Sequence, residues 1–209
     1  MRFFYIAVLS LLLSGCEVLE QLEVIPPQNP PQTASGTQQA HQLQLSKLNQ
    51  WNLNGRLSIR QGDEAWHASI RWAQTEDAYA IDIVGPLGQG ALNLTGGTQQ
   101  VVLRTSKNEV FVARTPEALL KEHLGWQVPV QGLRYWALGR IDPQLQYESE
   151  NDQLGRFNTL QQSGWDIRYK RYQTAQGIDL PGKVFMKRAD LDIRLIIDNW
   201  QTGEPDKKG

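Results

Sequence analysis

Apolar and polar residues alternate along most of the chain from Trp51 onward. In WNLNGRLSI, Trp51, Leu53, Gly55, Leu57 and Ile59 fall on one face of a strand. After a turn at Gln61-Gly62-Asp63, WHASIRW repeats the period. There Trp66, Ala68, Ile70 and Trp72 share one face, and His67, Ser69 and Arg71 share the other. The two segments predict an antiparallel pair with one wet face. AYAIDIV and ALNLTG, joined by GPLGQG, predict two more strands, and QVVLRT and EVFVA follow the Gly96-Gly97 turn signal. The last third predicts strands in LQYESE, QLGRFNTL, GWDIRYKRY, KVFMKR and DLDIRLIIDNW. Trp165, Ile167, Tyr169 and Phe185 are assigned to one face, and Leu191, Ile193, Leu195 and Ile197 alternate likewise. Many short strands with turn punctuation imply a mainly β fold, a meander or barrel-like sheet.

Helical spacing is confined to short stretches. Residues 38–50 predict a helix with Leu45 and Leu48 on one face and His41 at its surface or flank. Thr115-Pro116-Glu117 predicts a helix start, with Thr115 as N-cap and Pro116 in the first turn, and Gly125 its end. His123 in that helix is expected to pack, not to bind metal. LRYWALG predicts another short helical piece closed by Gly139.

The N-terminus follows a different logic. Arg2 precedes an apolar run from Phe3 to Leu13, too short to span a bilayer and suited to a signal-peptide core. A buried helix is the other use of such a run, but Asn, Pro, Gln, Thr and Gly follow it in place of more fold. Leu13-Ser14-Gly15-Cys16 resembles a bacterial lipobox. That resemblance implies diacylglycerol on the Cys16 thiol, cleavage before Cys16 and acylation of the new amine. Several acyl chains on one residue make a firm anchor where a single chain binds marginally. Glu17, where aspartate is the retention signal for the inner membrane, implies the outer membrane. The prolines Pro26, Pro27, Pro30 and Pro31 disfavour helix and central strand, so this stretch reads as a semi-extended tether. The expected organisation is a signal peptide at 1–15, a lipidated N-terminus and tether at 16–37, one domain at 38–200 and a polar tail at 201–209.

Composition narrows the function. The chain has 209 residues, enough for one domain with a real core, and a formal net charge of -1. Basic residues such as Arg168, Lys170 and Arg171 are interspersed with acids, so no nucleic-acid stripe is expected. One cysteine excludes an intrachain disulfide. Seven Trp and six Tyr suit a core, a wet apolar cleft or a membrane-facing rim. HExxH, CxxC and GxSxG are absent, and GPLGQG lacks the GK[ST] of a phosphate loop. Asp190 and Asp192 sit at period two on a solvent-facing strand side, a poor arrangement for acid–base work. The expectation is a non-enzymatic protein with no metal and no cofactor besides the lipid on Cys16. Patterning alone leaves two choices for the apolar sheet face: packed solid, or holding a cavity.

Five segments in order resemble the LolB family of outer-membrane lipoprotein receptors: WNLNGRLSI, SIRW at Ser69–Trp72, YAIDIVGPLG at Tyr79–Gly88, PVQGLRYWALG at Pro129–Gly139, and DLDIRLIIDNW. The resemblance implies an open antiparallel half-barrel of about eleven strands with covering helices and an apolar cavity. It further implies that a monomer receives acylated client lipoproteins from a soluble LolA-like periplasmic carrier. The clients are placed in the inner leaflet of the outer membrane, against its phospholipid. The family's membrane-insertion loop matches Gly85, Pro86, Leu87 and Gly88, with Leu87 as its exposed leucine. The alternation then nominates Trp51, Leu53, Leu57, Trp66, Ile70, Trp72, Ile81, Ile83, Leu92, Leu94, Trp136, Trp165 and Phe185 as the acyl-chain cavity. A lipid-anchored lipocalin-like module for small apolar ligands and a solid-core envelope scaffold are the rival readings.

Overall fold

A computed structural model describes residues 32–88 and 90–203, with side chains from residue 36. Cys16, the signal-like run, the prolines of the tether and residues 204–209 lie outside the described residues. In chain order the elements are α1 (Gln32–Ser46), β1 (Gln50–Gln61), β2 (Glu64–Thr75), β3 (Ala78–Val84), a 3-10 turn (Pro86–Gly88), β4 (Ala91–Gly96), β5 (Val101–Thr105) and β6 (Val110–Ala113). Then come α2 (Pro116–Leu124), α3 (Val130–Trp136), β7 (Tyr147–Asn151), β8 (Phe157–Gln162), β9 (Trp165–Ala175), β10 (Ile178–Arg188) and β11 (Leu191–Thr202).

All eleven strands form one antiparallel sheet in the order β6-β5-β4-β3-β2-β1-β11-β10-β9-β8-β7. It is two meanders joined where the first strand pairs with the last. The sheet is open, because β6 and β7 are edges. This order dictates where the helices go. The chain leaves β6 at one edge and must re-enter as β7 at the other. Residues 114–146 make that crossing over one face of the sheet and cover it with α2 and α3. Thr115 caps α2 by accepting from the Ala118 N–H, and Gly125 ends it in the left-handed region at φ 71°.

The seam between the meanders depends on one glycine. The β1–β11 register shifts at Asn54/Gly55. There a Cβ on Gly55 would lie 2.2 Å from the Ile196 carbonyl oxygen. Only a residue without a side chain lets the two backbones approach so closely.

The covered face divides into a packed half and a hollow half. In the packed half, Trp51 contacts Trp72 at 5.2 Å and Trp200 at 5.5 Å between ring centroids. Trp136 lies 5.9 Å from Trp165, and both are fully buried. These rings are locked by hydrogen bonds as well as contact. Trp200 donates to the Pro181 carbonyl at 2.7 Å, and the Tyr169 hydroxyl donates to the Trp136 carbonyl at 3.0 Å. Burial pushes the Tyr169 and Tyr172 phenols well above their usual range, so both remain neutral donors.

Gln162 is the polar centre of this half. Its Oε1 accepts from the Trp136 indole and from the Asp142 N–H, both at 2.9 Å. Its Nε2 donates to the Asp142 and Leu145 carbonyls. Gln162→Leu strands a buried indole and three backbone groups, so a loss of about 2–4 kcal/mol in a urea titration is expected. A midpoint equal to wild type would show that these bonds contribute nothing net.

Several expectations are corrected here. The first helix runs from Gln32 to Ser46, earlier than 38–50, and residue 50 already belongs to β1. His41 is buried, not superficial: its Nε2 lies 2.9 Å from the Asp179 carbonyl and its ring meets Tyr172 edge-on. The last strand extends to Thr202, which pairs with Trp51, so the polar tail starts later than residue 201. Phe185 pairs with Arg168 and Arg194, while its neighbours Val184 and Met186 are the buried residues of β10. Leu180, Val184 and Met186 keep one inward phase along this strand, because the irregularities at Pro181/Lys183 and Lys183/Val184 offset each other in the register with β9. Phe185 therefore lies on the outer face and cannot line a space on the covered one.

Candidate functional site

The hollow half is built by strands whose inward residues are aliphatic. Leu57, Ile70, Trp72, Ile81, Ile83, Leu92 and Leu94 line it from β1–β4. The direct pairing Ile70–Ile83–Leu92 and Trp72–Ile81–Leu94 stacks these residues in two rows across the sheet. Met186, Ile193 and Leu195 add to the wall from β10 and β11. Leu120 from α2, Leu133 from α3 and the connecting Trp126, Val128 and Val130 form the opposite wall. No ionisable side chain among the described residues lines this space.

The inner cavity measures ≈ 50 Å³. That is well below the roughly 300–1,000 Å³ of a ligand pocket. A groove of ≈ 680 Å³ adjoins it, sharing Leu57, Ile59, Ile83, Leu92 and Trp126 as lining. Trp126 stands at the junction, edge-on to Trp66 at 5.6 Å. Trp66 is 57% exposed, an unusual position for a large indole, and it lines the groove, not the inner cavity. Phe111 stacks on His123 at 3.7 Å on the far wall. Polar residues gather at the rim: His67, Thr105, Ser106, Lys107 and Glu109. The result is an apolar trough with a wet lip, able to shelter a hydrocarbon chain while its polar end stays in water.

Trp51, Leu53, Trp136 and Trp165 are buried but line neither space. They belong to the packed half, where neighbouring rings and hydrogen bonds fill the volume. The wall contributed by Trp126, Val128 and Val130 was missed although these residues recur at every second position of WQVPVQG, because nothing local shows which surface so short a run faces. Ile193 and Leu195 were legible as one alternating face, but Met186 was passed over for Phe185, and the distance of all three from β1–β4 was not legible.

At the mouth of the groove the β3–β4 connection turns outward. Gly85 and Pro86 line the groove, and Leu87 is 97% exposed. Leu87 has φ 57° and ψ 22°, the left-handed region, which costs a branched side chain about 1–2 kcal/mol. Hydrogen bonds from the Gly85 N–H to the Gly90 carbonyl and from the Gly88 N–H to the Gly85 carbonyl, both 3.2 Å, hold the loop closed around it. A leucine is thus kept in water by a backbone conformation that disfavours leucine.

Comparison with known proteins agrees with this geometry. A LolA superfamily protein from Nitrosomonas europaea shares the fold at TM-score 0.57 and 10% identity, over 83% of this chain and 96% of that one. The outer-membrane lipoprotein LolB of Nitrosococcus oceani is 43% identical over 194 residues, 92% of this chain and 94% of the relative. The protein of the same name from Pseudomonas aeruginosa is 36% identical over 201 residues, 96% of each chain. The family model described as outer membrane lipoprotein LolB matches residues 49–200, from just before β1 to within the last strand, β11. The chain belongs to the LolB family of outer-membrane lipoproteins.

Proposed function

We propose that this chain, an outer-membrane lipoprotein receptor by family, draws the acyl chains of a client lipoprotein into the groove beneath α2. A LolA-like soluble carrier supplies the client, and the loop carrying Leu87 passes it to the inner leaflet of the outer membrane. Diacylglycerol and an N-acyl group on Cys16 are proposed to anchor the receptor, and one copy suffices for the transfer. The observation that carries this reading is the continuity of the apolar lining. It runs from the small inner cavity, through the adjoining groove, to the loop that exposes Leu87.

The sizes define the mechanism. A space of ≈ 50 Å³ cannot take a long chain, so Trp126 and the α2–α3 connection must move aside as the chain enters from the groove. The connection is suited to this, because Trp126, Val128 and Val130 are held to the sheet mainly by apolar contact. Each methylene buried in the groove gains about 0.8 kcal/mol, and nearly the same on entering the bilayer. The two gains offset each other, so a modest affinity gradient drives handover without nucleotide.

The test is transfer from a carrier loaded with an acylated lipoprotein. The receptor is expected to take the client and then release it to vesicles, while free fatty acid is held weakly. Capture of fatty acid with no capture of lipoprotein would sink the reading. Leu92 lines both spaces and is half-buried, so Leu92→Glu places a charge in the lining without emptying the core. Client acceptance is expected to fall at least tenfold with the thermal midpoint little changed. Acceptance at the wild-type level would exclude this groove as the path.

A further inference from the structure

We infer that the outer face of the sheet beside Leu87 is a docking surface for anionic lipid headgroups; the inference rests on the reading of Leu87 as an insertion residue. Arg194, Phe185 and Arg168 lie directly opposite one another across β11, β10 and β9. Lys183 pairs with Ile196 in the next row. Phe185 carries the Lys183 ammonium 5.2 Å and the Arg194 guanidinium 5.4 Å from its ring centroid. Arg168, Lys170, Lys183 and Arg194 form no ion pair among the described residues. Arg56 is paired with Asp198 at 2.9 Å. In a chain of net charge -1 this is a local excess of cations. The neighbouring row Arg60–Asp192–Lys187–Asp166 alternates in sign and is balanced.

The patch is continuous with the insertion loop. A recess of ≈ 670 Å³ is lined on one side by Val84, Pro86 and Leu87 and on the other by Arg56, Arg194 and Ile196. Seating Leu87 in a bilayer therefore brings Arg194 and its neighbours to headgroup depth. Phe185 and Ile196 are half-buried between the cations, and a ring or branched aliphatic suits the boundary between headgroup and hydrocarbon. Cations beside an anionic membrane surface each add attraction, which salt weakens. The surface would hold the groove mouth against the leaflet while a client chain passes.

The test uses the full-length mature protein purified with its own lipid. It is placed in vesicles of phosphatidylcholine, alone or with phosphatidylglycerol. A donor dye on Ser58→Cys, which pairs with Arg194, reads approach to an acceptor dye in the headgroups. A polarity-sensitive dye on Leu87→Cys reads insertion separately. Energy transfer from position 58 is expected only on anionic vesicles and is lost in about 0.5 M salt. The variant R168Q/K183Q/R194Q is expected to weaken docking on the order of a hundredfold at low salt. Equal transfer on both vesicle types, or an unchanged response in the triple variant, overturns the inference. A triple variant that loses carrier binding but keeps its vesicle response makes the patch a protein-docking face and overturns it too. If the dye at 87 stays in water while anion-dependent transfer persists, the docking surface stands and the insertion reading of Leu87 fails.

Discussion

Leu87→Glu is expected to accept client lipoprotein normally and to deliver it to vesicles about a hundredfold less. The side chain is 97% exposed and packs against nothing, so its replacement leaves groove and core intact. What changes is the cost of placing the loop in lipid. Exchanging an apolar residue for an acid there is worth about 3 kcal/mol, or two orders of magnitude in occupancy. Leu87→Gly sharpens the experiment. Glycine adopts φ 57° without strain, so this variant should gain up to about 1 kcal/mol of stability while still delivering poorly. A residue that costs stability and is required for delivery is retained for its contact with lipid. Normal delivery by Leu87→Glu would remove the loop from the mechanism.

Gly55→Val is expected to abolish the native fold, and Gly55→Ala to cost about 3 kcal/mol or more. The atoms that an added Cβ would meet are the Ile196 carbonyl oxygen and carbon and the Ile197 Cα, all backbone. No rotamer change relieves such a contact. The only escape is to part β1 from β11, and this pairing alone joins the two meanders. Trp51 and Trp200 face each other across the same seam, so near-ultraviolet circular dichroism and a urea midpoint both report its opening. Wild-type values for Gly55→Ala would mean that the seam bends more freely than the 2.2 Å approach implies.

Strands were legible because period-two alternation is a direct consequence of a sheet with one buried face. The reading of β1, β2, β9 and β11 needed no tertiary information, and Trp51, Leu57, Ile70, Trp165 and Ile193 all point to the covered face. The α2 boundaries were legible for another local reason: the cap, the proline and the terminal glycine each act within a few residues. Phe185 shows where this logic stops. Its neighbours Val184 and Met186 take the inward positions of β10, in phase with Leu180, so the size of the ring was no guide to its face. His41 shows the same limit. A polar residue in a polar helix reads as superficial until a strand carbonyl, that of Asp179, is seen to lie within hydrogen-bond distance of its ring nitrogen.

The candidate site divides along the same line. The apolar inventory and the loop with Leu87 are local features, readable from residue type and spacing. Which tryptophans fill space and which border it is a global one. Trp51 and Trp165 alternate as Trp66 does, and Trp136 ends α3, yet these three are immobilised in packed aromatic contacts while Trp66 stands at the groove. The sequence by itself determined that strands dominate, that each has one apolar face, and that a constrained turn carries Leu87. Only the tertiary structure decided which half of that face is filled, that the segment linking α2 and α3 supplies the opposite wall, and that the turn lies beside cations that form no ion pair among the described residues. Alternation records whether a side chain points inward. Whether it meets matter or empty space depends on residues far away in the chain, brought opposite by the crossing from one sheet edge to the other.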